Sequence, residues 1–553
     1  MTRRFKIGGR CGSVVALAVA ACAAFEGLGA DGVGAKGDGA SFRVTPYVQH
    51  PATNAMSVFW FCDAPGTASL SYWKDGADAA TAKRLAVKGE VAKALSVNPK
   101  HVPLPAQYKF AARLTGLEPD TAYRYEVALA GGPKYANVFR TAPAAFRPVR
   151  FVAYSDSETQ LEPKTGRWED PVVIGDDGKK TCERRYYVAK EEGFASNVCA
   201  MAALKPDFVV VAGDLAGGGD NQGCWDQYWK HYAGALSDCG GATPILAAPG
   251  NHDYAGYGAD SDYGEMGMGK YLTYFEYEPN TADVAADQRQ RFHRLDYGPV
   301  ALVFIDPNNG PNYDPANTCD KWAREYAKPN DRDTNQCLTE DKCRAPDFNP
   351  GSAQYKWVEE QLADAQRTKL FTFLVCHQCP FSIGYHGRRN SDPGCMGGEG
   401  EYLSGVPTRC YTNLVFKYGV DGWICGHDEI CEHSRITGTE ELPDGTRRPT
   451  EIHVYDVGYG GDDLRGARRT AEPNPHEVFR AHTDAPEVYR DGTLVAGGKH
   501  YGHLEVNVTT NELGQWVCRL QQNYVFVSKD AKTGALSFDR RTYPDVVELT
   551  ARP

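Results

Sequence analysis

Phe208-Val209-Val210-Val211-Ala212-Gly213-Asp214 and Pro244-Ile245-Leu246-Ala247-Ala248-Pro249-Gly250-Asn251-His252-Asp253 decide how this chain is read. Each is a short apolar run that stops at glycine and then turns acidic, amide or imidazole. Three more runs behave alike. Val149-Arg150-Phe151-Val152-Ala153-Tyr154 leads into Ser155-Asp156-Ser157-Glu158, Phe371-Thr372-Phe373-Leu374-Val375-Cys376 into His377, and Trp423-Ile424-Cys425 into Gly426-His427-Asp428-Glu429. Short apolar runs closed by Gly or Asp are buried strands of an α/β domain. Ligands of such folds collect beyond the carboxyl ends of the strands, so these side chains are expected to meet. Their mix of oxygen and imidazole donors suits divalent metal ions.

In this order the blocks resemble those of the calcineurin-like metallophosphoesterases: Asp-x-His, Gly-Asp, Gly-Asn-His, His, Gly-His-x-His. The resemblance runs from Val149 to Val506, and Gly250-Asn251-His252-Asp253 is its sharpest element. A bare Gly-Asp or a lone His is ordinary turn or core chemistry; the ordered set carries the specificity. Two positions depart from the family: Glu158 and Glu429 stand where it has histidine. Purple acid phosphatases, a branch of the family, place a metal-binding Tyr three residues after the Asp of Gly-Asp; here that position is Gly217.

The resemblance implies an α/β four-layer catalytic domain, a β-sandwich flanked by helices, over residues 148–553. It implies one metal ion on Asp214, Asn251, His377 and His427, a set suited to zinc, manganese or iron. A second ion would share Asp214 and take Asp156. Glu158 and Glu429 would complete an all-oxygen set suited to magnesium, calcium, manganese or iron, or would point elsewhere and leave one ion. The implied reaction is hydrolysis of a phosphoric ester, a monoester in the first instance, by hydroxide generated on the ions. His252 would protonate the leaving group with Asp253 orienting it. Asn251 and Arg388 or Arg389 would hold phosphate oxygens. The alternatives are phosphodiester hydrolysis at the same site and an exported binding protein with a degenerate metal site.

Upstream, Met56–Phe61, Ala68–Trp73 and Tyr123–Val127 alternate apolar and polar residues between turn signals, which predicts an all-β domain. Leu114 to Tyr123 resembles the late-strand turn of a fibronectin type III domain. Thr45-Pro46-Tyr47-Val48 and Phe139 to Pro143 resemble the ends of the domain that precedes purple acid phosphatase catalytic domains. The expected layout is a leader over 1–30, a Gly-rich tether over 31–40, a fibronectin III-like sandwich over 41–145, and the catalytic domain. The sandwich is read either as shaping substrate access or as a spacer packed on the enzyme.

The N-terminus reads as an export signal. Arg3, Arg4, Lys6 and Arg10 precede the apolar Val14–Phe25, with cleavage near Ala30 or lipidation of Cys22 in Val19-Ala20-Ala21-Cys22. The expected location is periplasmic, outer-membrane-associated or extracellular. The apolar run falls short of the roughly 20 residues of a membrane span. A net charge of −11 argues against a nucleic-acid-binding surface; the resemblance implies a phosphorylated small molecule or macromolecule as substrate. Export makes disulfides the natural reading of 17 cysteines. Proximity suggests Cys182–Cys199, Cys224–Cys239, Cys337–Cys343, Cys395–Cys410 and Cys425–Cys431. Cys376 and Cys379 read as a structural bridge or as packed thiols.

Overall fold

The computed structural model describes residues 41–161, 172–174, 180–182, 190–234, 237–254, 265–308, 345–384, 405–462, 464, 474–481, 488–490, 493–496, 499–529 and 536–551. The predicted leader, tether, Arg388, Arg389 and the Cys337–Cys343 pair lie outside them.

Residues 42–140 form a sandwich of two four-stranded sheets. One orders Phe42–Gln49, Ala55–Cys62, Tyr108–Thr115 and Glu90–Val91; the other orders Lys134–Arg140, Ala122–Leu129, Thr67–Lys74 and Lys83–Lys88. The predicted alternation places Trp60, Leu70, Tyr125 and Val127 inside. Trp60 stacks on Phe110 with ring centroids 5.2 Å apart. The sandwich is also packed on the domain that follows. Tyr47 lies 4.2 Å from Trp229 by ring centroid, and its hydroxyl donates to Tyr274 O at 2.8 Å. Lys270 Nζ donates to Ala94 O at 2.7 Å and Val97 O at 2.6 Å, which joins the two domains through a buried ammonium.

After Val149 two sheets pack face to face. The first orders Ile245–Ala247, Phe208–Val211, Val149–Tyr154, Gly502–Thr510, Trp516–Lys529 and Leu536–Thr550. The second orders His293–Tyr297, Val300–Phe304, Phe371–Gln378, Gly422–Gly426, Arg447–Val457, Cys431–Glu441 and Glu477–Ala481. Phe151 of the first meets Phe373 of the second edge-on at 5.4 Å. Helices Lys190–Ala203 and Gln222–Tyr232 contribute Phe194, Val198, Trp225 and Tyr228 to the core shared with the first sheet. Helix Ala353–Thr368 buries Trp357, Val358 and Leu362 against Leu374 and Trp423 of the second. Its N-cap is Ser352, whose Oγ accepts from Tyr355 N at 3.2 Å. The expected four layers are present, and among the described residues no helix is long and apolar enough to cross a membrane.

The Gly502–Thr510 strand is interior, laddered to Val149–Tyr154 on one side and Trp516–Lys529 on the other; the edge is Leu536–Thr550. Beyond Arg447–Val457 its sheet continues through Cys431–Glu441 and Glu477–Ala481. The expected cysteine pairings are corrected. Cys224, Cys239, Cys425 and Cys431 are thiols, so neither Cys224–Cys239 nor Cys425–Cys431 is bridged. Cys425 points into the core under helix Ala353–Thr368, whereas Cys431 joins the core between the sheets, on the other face. Cys410 is also a thiol, and Cys376 and Cys379 are packed thiols; Cys376 Sγ lies 3.9 Å from Cys425 Sγ.

Candidate functional site

The strands explain the meeting of the polar blocks. Val149–Tyr154, Phe208–Val211 and Ile245–Ala247 run parallel, as do Phe371–Gln378 and Gly422–Gly426. Their carboxyl ends therefore open at one end of the two packed sheets. Two glycines are needed for the approach. Gly213 has φ of +93°, and a Cβ there would fall 2.7 Å from His377 Cβ; a Cβ on Gly250 would fall 2.1 Å from Asp214 Oδ1.

His377 Nε2 lies 2.8 Å from Asp214 Oδ2 and 3.1 Å from His427 Nδ1. Asp156 accepts from His427 N at 3.2 and 3.0 Å through its two oxygens, which ties the first block to the last. Glu158 Oε1 lies 3.6 Å from His252 Nε2. Three sets of donor atoms converge, each within 4.8 Å of one another: Asp214 with His377 and His427; Glu158 with Asp214 and His252; Asp156 with Glu158 and Glu429. The sets are linked, sharing Asp214 and Glu158. Asn251 opens the helical turn Asn251–Tyr254, whose His252 N–H donates to Asp214 Oδ1 at 2.8 Å, and the Asn251 Oδ1 is buried without a hydrogen-bond partner among the described residues.

The backbone is forced as well. Asp156, Glu158, Asp214, His427 and Glu429 all have φ between +34° and +79°. Left-handed conformations on side chains larger than glycine cost energy and gather at functional sites.

Asp253 does not orient His252, and this corrects the sequence expectation. Its carboxylate accepts from the backbone N–H groups of Gly250 at 2.8 Å, Asp214 and Leu215 at 3.0 Å and Ala216 at 3.3 Å. It clamps the Asp214 loop to the Asn251 loop. His252 is instead fixed by Gly217, whose carbonyl lies 3.2 Å from Nδ1.

The electrostatics call for cations. Burial drives Glu158 well above the usual carboxylate range, and the charges of Asp462, Glu429, Asp214 and Asp156 push the same way. Burial, partly offset by His377, raises Asp156 to about 6. Burial disfavours charge on His377, yet Asp214 and Asp156 beside it hold its proton up to about 10. Protons here neutralise charge that a divalent ion would neutralise better. With the orphaned Asn251 Oδ1, the donor set fits metal.

Sequence reasoning missed Asp462, which lies next to Glu158 in this field and pairs with the buried Lys190. It also missed Asp456, buried with Oδ2 unpartnered. The glycines around Tyr459 were the available signal: Asp462 follows that turn, and its N–H donates to Asp156 O at 2.8 Å.

Residues 173–430 match the family described as calcineurin-like phosphoesterase. That stretch is similar to a calcineurin-like phosphoesterase domain. The match takes in the Asp214, Asn251, His377 and His427 blocks; Asp156 and Glu158 precede it. Two uncharacterised sequences of Mycobacterium tuberculosis are each 24% identical to the chain over 348 residues, 62% of this chain and 53% of theirs. The chain thus spans about half the length of the curated relatives it matches. The structure of the purple acid phosphatase PPD1 from yellow lupin (Lupinus luteus) seeds is similar over 91% of this chain and 74% of that one, with a TM-score of 0.54 and 15% identity. That of PhoD is similar over 92% and 90%, with a TM-score of 0.53 and 13% identity. These likenesses are of fold: the phosphoesterase domain shares its architecture, preceded by a β-sandwich, with both.

Proposed function

We propose that this protein hydrolyses phosphoric esters with bound divalent ions, acting first on monoesters. The observation that carries the proposal is the convergence of three linked donor sets with the orphaned Asn251 Oδ1. Asp214, Asn251, His377 and His427 would hold one ion, and Asp214, Asp156, Glu158 and Glu429 would supply donors for the second. When bound, such ions acidify water and offset charge on phosphoryl oxygens. The chain's own part is positional. Asp253 holds the Asp214 and Asn251 loops in one register. Ala212 O accepts from His377 Nδ1 at 2.8 Å and fixes the ring so that Nε2 faces Asp214. The packed walls exclude water from these groups, which strengthens every charge interaction inside. Arg388 and Arg389 are proposed to steady phosphate oxygens, and the basic then apolar N-terminus supports export.

The test is a panel of aryl phosphomonoesters and phosphodiesters, assayed on full-length protein after chelation and after reloading with Zn²⁺, Mn²⁺, Fe²⁺ or Ca²⁺. Metal-restored turnover, greater on monoesters, is expected. Stoichiometric metal binding with no turnover on any ester would leave a binding protein in place of the enzyme. Greater turnover on diesters would reassign the substrate class.

A further inference from the structure

We infer that Asn308 is a positioning residue of the first metal site: its side-chain amide sets the Asn251 turn against the strand that carries His377. The inference rests on the metal-dependent reading above and deepens it.

The two donors come from different sheets. Asn251 follows Ile245–Ala247 of the first sheet, and His377 lies in Phe371–Gln378 of the second. Strands of different sheets share no ladder, so side chains must set their separation. Asn308 follows Val300–Phe304 of the second sheet and is buried. Its Nδ2 donates to Pro249 O at 2.9 Å, two residues before Asn251. Its Oδ1 accepts from Gln378 Nε2 at 2.5 Å, one residue after His377. A carbonyl can only accept, so the NH₂ group must face Pro249 and the oxygen must face Gln378. One amide therefore spans the two segments that supply an Asn and a His to the same ion.

Asp306 aims this amide. Its Oδ1 accepts from Asn308 N and from Asn308 Nδ2, both at 3.0 Å. Its Oδ2 accepts from the Tyr254 hydroxyl, at the far end of the turn that Asn251 opens. Arg291 Nη1 donates to that hydroxyl at 2.9 Å, and its charge partly offsets the cost of burying Asp306. Gln354 closes the back, accepting from Asp306 N at 2.7 Å and donating to Asp306 O at 3.0 Å. The turn is gripped at both ends from the second sheet. Asp253 fixes the same turn to the Asp214 loop within the first. The labour divides: Asp253 sets Asn251 against Asp214, and Asn308 sets it against His377. Outer groups that hold ligands in this way change metal affinity about 10- to 100-fold when removed.

Co²⁺ is the probe, because its visible spectrum reports ligand geometry. Full-length wild type, Asn308→Ala, Asn308→Ser, Asn251→Ala and the double variant Asn251→Ala with Asn308→Ala are titrated with Co²⁺ against a chelator. Asn308→Ser keeps a neutral polar group too short for the span, so it decides the matter should Asn308→Ala not fold. Leu70→Ala, in the sandwich core, controls for lost stability alone. Circular dichroism of each metal-free protein checks the fold. Both Asn308 variants should bind the first Co²⁺ about 10- to 100-fold more weakly with an altered visible band, and Leu70→Ala should match the wild type. With Asn251 already Ala, removing Asn308 should cost under about threefold, since it acts through the residue already lost. Wild-type affinity and spectrum in the Asn308 variants would overturn the inference, as would full additivity in the double variant. Equal weakening in Leu70→Ala would overturn it too, by assigning the effect to general stability. A wild type that binds no Co²⁺ would instead remove the metal-dependent reading itself.

Discussion

At the scale of single residues, Asp214 is the hinge of the site, since two donor sets share its carboxylate. Asp214→Asn keeps the volume and removes the charge. Bound metal should fall below one ion per chain and aryl phosphate hydrolysis by 100-fold or more, on the order expected for a lost ligand; normal metal and normal rate would dismantle the assignment. Glu158 and Glu429 give a more selective probe. With both changed to Gln, occupancy of the second ion should drop while the ion on His377 and His427 stays, as anomalous scattering would show by locating each ion. Iron-loaded protein should also show no tyrosinate charge-transfer band. Gly217 stands where purple acid phosphatases carry Tyr, and a Cβ there would already come 3.0 Å from Glu158 O.

At the scale of elements, the strands that end at the site were legible because burial on both faces made them short, apolar and unbroken. In helix Ala353–Thr368 the apolar spacing of Trp357, Leu362 and Ala365 is the readable signal, and the structure adds the Ser352 cap. Ser352→Ala should lower unfolding stability by about 1 kcal/mol in urea titration, with metal content unchanged. What could not be read was partnership. Nothing local in Gly502–Thr510 says that it enters between two strands 350 residues earlier and a few residues later. Asp253 looked like a partner for its neighbour His252, but a carboxylate can accept from backbone as readily as from a ring, and the loops it faces are brought by distant strands. The thiols misled for a related reason: Cys425 and Cys431 are close in sequence, yet the strands between them turn the side chains to opposite faces of a sheet.

At the scale of the whole molecule, the sandwich and the catalytic domain share buried contacts. Tyr47 with Trp229, and Phe61 with Tyr274 at 4.9 Å, continue one core across the boundary. Residues 41–551 should therefore unfold in one transition by calorimetry, and Tyr47→Ala should lower its stability by about 3–5 kcal/mol. Two separate transitions would show that the domains are coupled only weakly. The boundary also carries a pH response. His50, over Tyr277 at a ring distance of 5.5 Å, is held down to about 3 by burial and by the positive charges of Arg113 and Lys109. The unfolded chain takes up this proton near pH 6.5 and the folded chain does not until about 3, so stability falls as pH falls through that window. His50→Asn, which tolerates the left-handed backbone there, should flatten the acid side of the stability curve by up to about 1.4 kcal/mol per pH unit. An unchanged slope would place the acid sensitivity elsewhere.

The left-handed backbone at Asp156, Glu158, Asp214, His427 and Glu429 also bears on how far this protein can be improved. Glycine would relax each position by roughly 1 kcal/mol or more and would delete a metal donor in the same stroke. A laboratory selection for heat tolerance alone should therefore drift toward glycine at these five codons and return robust, inert clones. A selection that also demands turnover should leave the five untouched and harvest its gains from the sandwich and the outer strands.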